Sequence, residues 1–284
     1  MGLGAGAIDV PDGIGPGGFG LMMSATNFAC LGSATHSVGP VIKTAVVALL
    51  DDVSLESTLR LARSTYTRVV ETIGLNDSRK AEEQIDSLVR LCPDLILIAG
   101  GTAGGATHSV QRLLETVGLA CYLLPVDKRP ALLFAGNQGL AVEVKKSFQP
   151  LTSSLSISPN LRPNIDTEDL QPAQRALTEL YTQVRRSQMN GVDELNTGAG
   201  FTLMPTASAE GRIIRFLSQV YDSSKGILGV DLGASAVTVA AAFGGELTLG
   251  VYPQLGLGEG LTNLLRYTSV EDILKWIPLE IPAE

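Results

Sequence analysis

The sequence predicts an α/β protein: a doubly wound parallel-sheet domain followed by an antiparallel hairpin. The 284-residue chain is 45% apolar but only 5% aromatic, so its cores must consist of Leu, Val, Ile and Ala, as in parallel sheets covered by helices. Between residues 41 and 148, short apolar runs alternate with amphipathic helical stretches, which is the spacing of βαβ units. Two apolar runs joined by Gly244-Gly245 predict the hairpin over residues 227–252.

The N-terminal half of the predicted sheet begins with an apolar strand from Val41 to Leu50. Ser54 can cap a following helix, because its hydroxyl can accept a hydrogen bond from an N–H group of the first turn. One face of that helix collects the apolar residues Leu55, Leu59, Ala62, Tyr66, Val69 and Ile73. We expect a second helix, with an apolar face formed by Ile85, Leu88 and Val89, to end near Pro93.

The C-terminal half of the sheet begins with the buried strand Asp94 to Ala99, which runs into a glycine-rich turn, Gly100 to Gly105. A helix from Val110 to Val117 follows. The remaining predicted elements of this unit are strands at Cys121–Pro125 and Leu132–Ala135 and a helix at Asn137–Phe148. Strands that alternate with helices in this way form a parallel sheet with right-handed crossovers.

The chain divides into three predicted regions. Residues 1–40 are rich in glycine and predict an irregular or edge segment of the C-terminal lobe, with a short strand at 20–28. Residues 41–150 form the doubly wound α/β domain, and residues 151–284 hold a helical connection and the lobe with hairpin 227–252. Within this last region we expect a strand at 155–157, a long helix starting at Asp166, a loop at 189–205 and a helix that buries Ile213, Ile214, Leu217, Val220 and Tyr221.

Charge and cysteine usage exclude several classes of protein. The formal net charge of −8 argues against nucleic acid or an anionic membrane as a partner, because both favour a basic face. Cys30, Cys92 and Cys121 are widely spaced, and the chain has only two histidines, so no zinc-type pattern exists. The N-terminus lacks a signal peptide's basic patch and apolar core, and no apolar run reaches ~20 residues. We therefore expect a cytoplasmic protein.

The hairpin contains the first candidate site. Asp231 ends an apolar run that predicts a buried strand, and Gly233, Ala234 and Ser235 form the small-residue turn that follows. An aspartate at a strand end can hold a metal-bound water, while small residues let backbone N–H groups approach a phosphate. The alternative is an ordinary hairpin in which Asp231 closes the turn.

A second candidate site follows the strand that ends at Ala99. This turn contains four glycines and one threonine: Gly100, Gly101, Thr102, Gly104 and Gly105. A turn between a strand and a helix N-terminus presents N–H groups to anions, and ligands bind there in open α/β sheets. Gly136 and Asn137 end the next strand at the same sheet edge, so a shared cleft is expected. The alternatives are a turn packed against the protein itself and an Asn137 that only caps its helix.

Taken in order, these motifs resemble one family, the MutL or GlmL proteins that accompany glutamate mutase and are unrelated to the mismatch-repair protein of the same name. That family has a LAGGTDGG segment, a strand ending in AGN, a Pro-Thr helix start and a VDVGGATTD hairpin. The matching segments here are Ile98–Gly105, Ala135–Asn137, Pro205–Thr206 and Val230–Val239, within a likeness that runs from about residue 20 to 265. The resemblance implies an actin-like (ribonuclease H-like) phosphate hairpin, ATP and Mg²⁺ as ligands, and a subunit of an adenosylcobalamin-dependent mutase as partner.

Three departures from the family pattern weaken the implied chemistry. The family's opening phosphate loop has no counterpart here, so we expect an internal piece that lacks the N-terminal strands of the first lobe. Ala103 stands where the family has Asp, and Ala234 stands where its hairpin has Gly. Each change removes a polar group that could bind metal or water, or the flexibility that brings an N–H group to phosphate.

Two functions remain open on the sequence. The resemblance implies a fragment of an actin-like accessory or reactivating protein of the mutase, at most a weak ATPase and inactive as an isolated chain, with Asp231 as the catalytic and metal-binding residue. The alternative is a non-catalytic scaffold that binds a ligand or protein and keeps a degenerate phosphate site. The sequence is compatible with an oligomer.

Overall fold

The computed structural model describes residues 34–37, 39–200, 203–222, 224–258, 266 and 268–275. Cys30 and the short strand predicted at residues 20–28 lie outside these ranges.

Five parallel strands form the central sheet, as the alternation of apolar runs predicts. The strands are β2 (Ile42–Val47), β3 (Thr67–Ile73), β4 (Leu95–Ile98), β5 (Ala131–Phe134) and β6 (Ser154–Ile157), after a short β1 (Thr35–His36) that lies elsewhere. Their order across the sheet is β3-β2-β4-β5-β6. The chain therefore winds in one direction from β2 to β3 and in the other from β4 onward. In sheets of this order the carboxyl ends of β2 and β4 mark the switch point where ligands bind.

Helices cover both faces of this sheet. The helices of the unit are α1 (Glu56–Ala62), α2 (Ala81–Leu91), α3 (Thr107–Leu123), α4 (Ala141–Phe148) and α5 (Gln171–Gln188). One apolar core joins α2, α3 and α4 to one face of the sheet, and a second core joins α1 and α5 to the other. The fifth strand and α5 lie beyond residue 150, and the domain limit at that position remains a prediction.

Two elements of this unit differ from the sequence predictions. The helix predicted from Ser54 ends at Ala62, and residues Thr67–Ile73 form β3. β-Branched residues dominate this segment, and their side chains favour extended backbone over helix. The strand predicted at Cys121–Pro125 is wrong, because α3 continues to Leu123 and buries Cys121 in the core.

The helix predicted from Asp166 begins later, at Gln171. Pro172 lies in its first turn, where a missing N–H group leaves no helical hydrogen bond unmade. The residues before it, 164–169, are exposed and non-helical.

Residues beyond Gln188 form a smaller unit. The loop predicted at 189–205 contains a short helix, α6 (Val192–Gly198), and ends in β7 (Met204–Pro205), which pairs in parallel with β1. Helix α7 (Thr206–Val220) then packs on an antiparallel sheet of β8 (Ile227–Leu232), β9 (Val237–Phe243) and β10 (Glu246–Tyr252), in the order β10-β9-β8. A short α8 (Val270–Leu274) follows.

The hairpin is present, but two expectations about its burial are wrong. β8 is an edge strand of its sheet, and Leu228, Val230 and Leu232 on its outer face are each more than half exposed. On α7 only Ile214 of the predicted apolar positions is buried, because this helix covers one side of a narrow sheet and the other side of the helix has no partner among the described residues. The apolar positions of α7 that are exposed are Ile213, Phe216, Leu217, Val220 and Tyr221.

No helix in the described ranges is both long and apolar enough to cross a membrane.

Candidate functional site

The glycine-rich turn after β4 uses several of its own N–H groups within the protein. Ala103 N–H donates to the Pro163 carbonyl at 3.1 Å, and Gly105 N–H donates to the Thr102 carbonyl at 2.9 Å. Gly104 N–H reaches the side-chain oxygen of Asn137 at 3.3 Å. The turn is therefore held in one shape by neighbouring backbone and one buried amide.

Asn137 joins the glycine turn to the end of β5. Its Nδ2 donates to the Gly105 carbonyl at 3.0 Å, its Oδ1 also accepts from Gly139 N–H at 3.0 Å, and its backbone N–H donates to the Gly100 carbonyl at 3.0 Å. The side chain is 1% exposed. The two turns thus meet at one sheet edge, as predicted. Asn137 caps the helical turn that follows it and also holds the glycine-rich turn after β4 through Gly104 and Gly105.

Two positions of this turn require glycine because other protein atoms lie too close for a Cβ. A Cβ on Gly100 would lie 2.8 Å from the Leu49 Cβ, and one on Gly101 would lie 2.8 Å from the Gly105 carbonyl oxygen. Both residues have positive φ, +129° and +71°, which side chains rarely adopt. Gly104 differs, because its φ is +81° but a Cβ there would meet no atom within 4 Å.

Backbone N–H groups without a hydrogen-bond acceptor among the described residues lie just after this turn, at the start of α3. Ala106 precedes this helix in a left-handed conformation, φ +51°, and supplies no side-chain cap. Among the described residues, the N–H groups of Thr107, His108 and Ser109 find no acceptor. A helix N-terminus of this kind favours an anion.

Residues 158–170, here called the strap, connect β6 to α5 across the carboxyl ends of the strands. Asn160 Nδ2 donates to the Gly101 carbonyl at 2.8 Å. Arg162 Nε donates to the Ser57 hydroxyl on α1 at 2.8 Å. The strap thus reaches from β6 to the helix that follows β2.

One carboxylate fastens the strap to α1. Glu168 Oε1 lies 2.6 Å from Arg60 Nη2 and 3.5 Å from Arg162 Nη2. Burial would raise the pKa of Glu168, but hydrogen bonds from Arg60 and Ser57 and the charges of both arginines outweigh it and hold that pKa below its ordinary value. The paired, ionised form is therefore the stable one.

The second predicted turn, after β8, is held by the glycine-containing segment 256–258. Leu257 N–H donates to the Gly233 carbonyl and Gly258 N–H to the Ala234 carbonyl, both at 2.9 Å. Gly233 N–H donates to the Ala236 carbonyl at 3.0 Å. In the part of the chain that the structure describes, the N–H groups of Ala234 and Ser235 donate to no protein atom, so two donors remain for a ligand.

Asp231 faces a second acid, Glu210 on α7, which the sequence did not predict. The Asp231 side chain is exposed at the end of β8, on the sheet side that packs against α7. Burial and the charge of Asp231 together raise the pKa of Glu210 on α7. Helical spacing from the Pro205-Thr206 helix start places Glu210 one turn along α7, but no local pattern indicates that this face meets Asp231.

Two carboxylates are fewer than a structural metal site requires. Among the described residues no group of three or more His, Cys, Asp or Glu could hold a metal ion. Mg²⁺, however, is commonly held by one or two carboxylates, with phosphates and water completing its shell.

The two predicted turns belong to different sheets. Gly100–Gly105 contacts the strap and Asn137, whereas Asp231–Ser235 contacts α7 and residues 256–258. No hydrogen bond or ion pair between described residues joins them. They are two separate places on this chain.

A family model described as "MutL protein" matches residues 26–263. Protein MutL of Clostridium tetanomorphum is 24% identical over 216 residues, which is 75% of this chain and 45% of that protein. The chain thus spans less than half the length of this curated relative. Among solved structures, the response regulator domain of Thermotoga maritima CheB matches 53% of this chain and 99% of its own, at 15% identity and a TM-score of 0.32.

Proposed function

Because the chain belongs to the MutL family, the MutL/GlmL proteins rather than the mismatch-repair protein of the same name, we propose that it is a nucleotide-binding part of an accessory protein for an adenosylcobalamin-dependent mutase such as glutamate mutase. In this proposal the nucleotide state of the hairpin lobe governs a contact with a mutase subunit, which gives the protein a reactivating or chaperone role. The hairpin lobe is actin-like, and the protein works in the cytoplasm.

One observation carries the nucleotide proposal. The hairpin turn leaves the N–H groups of Ala234 and Ser235 without acceptors among the described residues, directly after the exposed carboxylate of Asp231. Such donors bind phosphate oxygens, and small residues at these positions allow the phosphate to reach the backbone. Gly233 begins the turn, but its own N–H group donates to the Ala236 carbonyl and is not free for a ligand.

The residues beside the turn fit Mg²⁺. Asp231 and Glu210 provide two oxygen ligands, and the raised pKa of Glu210 reflects burial together with the uncompensated charge of its neighbour. When bound, the metal neutralises phosphate charge. In our proposal Asp231 holds the metal or its water, Glu210 supports it, and the turn orients the phosphate.

Hydrolysis by this chain is at most weak in our proposal. Ala234 stands where the family pattern has Gly, which removes flexibility in the turn. The remaining groups can bind and orient a nucleotide, and we assign them that role in preference to rapid turnover.

Titration calorimetry with ATP and with ADP, each with and without Mg²⁺, tests this proposal. We expect Mg²⁺-dependent binding by the wild-type chain and a loss of about tenfold or more in Asp231→Asn, because one metal ligand is lost. Glu246→Gln is the matched control, since this exposed acid lies at the opposite end of the same sheet. Binding that is absent, or unaffected by Asp231→Asn, would overturn the assignment of this site.

The mutase partner is tested separately. Purified glutamate mutase and the chain are mixed with and without ATP and Mg²⁺, and comigration in gel filtration is measured. We expect nucleotide-dependent comigration, and its absence from every mixture would refute the partnership for this chain.

A second candidate function has one observation in its favour. A Cβ on Gly100, Gly101, Gly105 or Gly136 would lie within 3 Å of another protein atom. Three N–H groups of the glycine turn are also bonded within the chain. This arrangement suits a scaffold that binds a ligand or protein without catalysis. In that role Gly100, Gly101, Thr102, Gly104, Gly105, Gly136 and Asn137 shape the edge, and the open first turn of α3 accepts an anion.

A further inference from the structure

A groove with a volume of about 600 Å³ runs between α3 and α4 on the outside of the α/β unit. Its floor is apolar and includes the buried side chains of Leu114 and Phe148. Leu119 and Tyr122 also line the groove, and they are 54% and 67% exposed. The lining positions of α3, from Gln111 to Tyr122, extend over ~17 Å at ~1.5 Å per residue. Exposed apolar surface of this kind marks a place where another molecule binds.

The middle of α3 contains a glycine that the fold does not require. Gly118 has ordinary helical backbone, and among the described residues a Cβ there would meet only the Phe148 Cζ, at a normal contact distance of 3.7 Å. A glycine in a helix interior lowers stability relative to alanine. Because Gly118 lines the groove, its missing side chain leaves the floor open to an apolar side chain from outside.

The charge of the groove indicates what fits into it. Of the described residues that line the groove, only Glu115 and Glu143 are charged. The basic residues Arg112, Lys145 and Lys146 of the same two helices do not line it. Acids beside an apolar floor complement a helix that has an apolar stripe and a basic flank.

Helix α7 of this chain has such a stripe. Four of its apolar residues are exposed at the spacing i, i+3, i+4 and i+7: Ile213, Phe216, Leu217 and Val220. This spacing places the four side chains on one face of the helix. It is the pattern by which a helix anchors itself in the groove of a partner.

The charges of α7 also complement the groove. The basic residues of this helix are Arg212 and Arg215, and Arg212 is exposed, one turn from Phe216. Glu210 is its one acid, and that side chain turns toward β8, where its Oε1 lies 3.4 Å from the position of a Cβ on Gly229. The exposed stripe is therefore flanked by positive charge and not by Glu210.

We propose that α7 of one copy docks in the groove of a second copy, so that copies of this chain associate head to tail. Both surfaces are exposed within one chain, so they do not fill each other there. In the docked state Phe216 lies over Gly118, and Arg212 faces Glu115. Such a contact joins two different patches, unlike a twofold dimer in which one patch meets itself. It uses neither Asp231 nor the turn that follows it, so the association and the nucleotide site fail separately.

Analytical ultracentrifugation of the intact chain measures the association. We expect the wild type to associate at about 100 µM. Gly118→Leu, which fills the groove, and Phe216→Ser, which interrupts the stripe, should each weaken the association by about tenfold or more. Leu75→Ser is the matched control, because Leu75 is an exposed leucine in the turn after β3, and it should associate like the wild type. A wild type that stays monomeric would overturn the proposal.

Mixing the two weakened variants distinguishes a head-to-tail contact from a twofold one. Gly118→Leu keeps an intact α7, and Phe216→Ser keeps an intact groove. Their equimolar mixture should therefore form a 1:1 dimer, although neither variant associates alone. The docking would be wrong if the mixture stays monomeric, or if Phe216→Ser abolishes an association that Gly118→Leu leaves unchanged.

Gly118→Ala is a milder change, in case leucine disturbs α3. Because alanine favours the helix, we expect the unfolding midpoint to rise by about 3 °C while the association weakens by about threefold. A stabilised Gly118→Ala variant that associates as well as the wild type would contradict an occupied groove.

A pair of charge reversals tests the acidic lining. Glu115→Lys should weaken the association by about fivefold or more. Glu179→Lys makes the same change at an exposed position of α5, which packs on the other face of the sheet, and it should have no effect. Equal association of these two variants would show that the charge of the groove does not select α7.

Discussion

Asn137 holds Gly105 in place by donating from its side-chain amide to the Gly105 carbonyl at 3.0 Å, while its side-chain oxygen accepts from Gly104 and Gly139. This one buried side chain satisfies three backbone groups from two turns. The glycine turn therefore owes its shape to a residue that follows it by more than thirty positions.

Removing this amide should destabilise the fold. We expect Asn137→Ala to lower the free energy of unfolding by about 3 kcal/mol, because it leaves buried backbone groups unpaired and opens a small cavity. Chemical denaturation monitored by circular dichroism measures the change. Asn76→Ala, which removes an exposed bond to Asp51, should change stability by less than about 1 kcal/mol, and equal effects in the two variants would contradict the role of Asn137.

Two glycines of the same turn should differ in their tolerance of a side chain. Both have positive φ, but a Cβ on Gly101 would lie 2.8 Å from the Gly105 carbonyl oxygen and one on Gly104 would meet nothing within 4 Å. We expect Gly104→Ala to cost about 1 kcal/mol from backbone strain alone and Gly101→Ala about 2 kcal/mol more. Thermal unfolding of both variants at one pH ranks them, and the reverse order would show that the turn relaxes.

Acid should weaken the packing around β1. His36 is 4% exposed, its ring centroid lies 6.0 Å from that of Tyr181, and burial together with the charge of Arg185 lowers its pKa from 6.5 to about 4. The native state therefore keeps this imidazole neutral, whereas the unfolded chain takes up a proton below pH 6.5. Stability contributed by the neutral form is complete above pH 6.5 and falls as the pH decreases toward 4, by about 1 to 3 kcal/mol.

The measurement is the unfolding free energy of wild type and His36→Gln from pH 7.5 to 4.5. The variant should lose part of the pH dependence, while His108→Gln, at an exposed histidine, should retain it. An identical pH profile in wild type and His36→Gln would show that another group controls acid unfolding.

Cysteine chemistry should distinguish the interior of the α/β unit from its surface. Burial raises the pKa of Cys121 to about 12, and its side chain is fully buried, whereas Cys92 is partly exposed. At pH 8 Cys121 is therefore held as the thiol, whereas the thiolate is the reactive form. We expect iodoacetamide to label Cys92 in the native protein and Cys121 only after denaturation, as mapped by mass spectrometry; native labelling of Cys121 would show that α3 opens.

The sequence predicted the parallel sheet better than the antiparallel lobe, for a physical reason. β4 and β5 are apolar at every position and buried on both faces, so their patterns are unambiguous. Residues 54–73 combine helical spacing with β-branched side chains, and the tertiary pairing of β3 with β2 decided the outcome. β8 is also largely apolar, with Leu228, Val230 and Leu232, yet it lies at a sheet edge and these three side chains remain exposed.

The candidate site was predictable only where it depends on local sequence. Glycine spacing indicated the turn after β4, and chain order placed Asn137 at the same edge. The strap and the approach of Glu210 to Asp231 depend on tertiary contacts, including a pairing of Arg60 with Glu168 across 108 positions. No local pattern encodes such a contact.

The position of Asn137 also sets an order of events during folding. The side-chain amide of Asn137 can reach Gly104 and Gly105 only once β5 has paired with β4. The glycine turn therefore cannot take its final shape before these two strands pair. Loop closure over this distance has an entropic cost that local elements avoid. The turn should therefore mature after the folding transition state, with φ-values near zero for Asn137 and higher values in the strands that it joins.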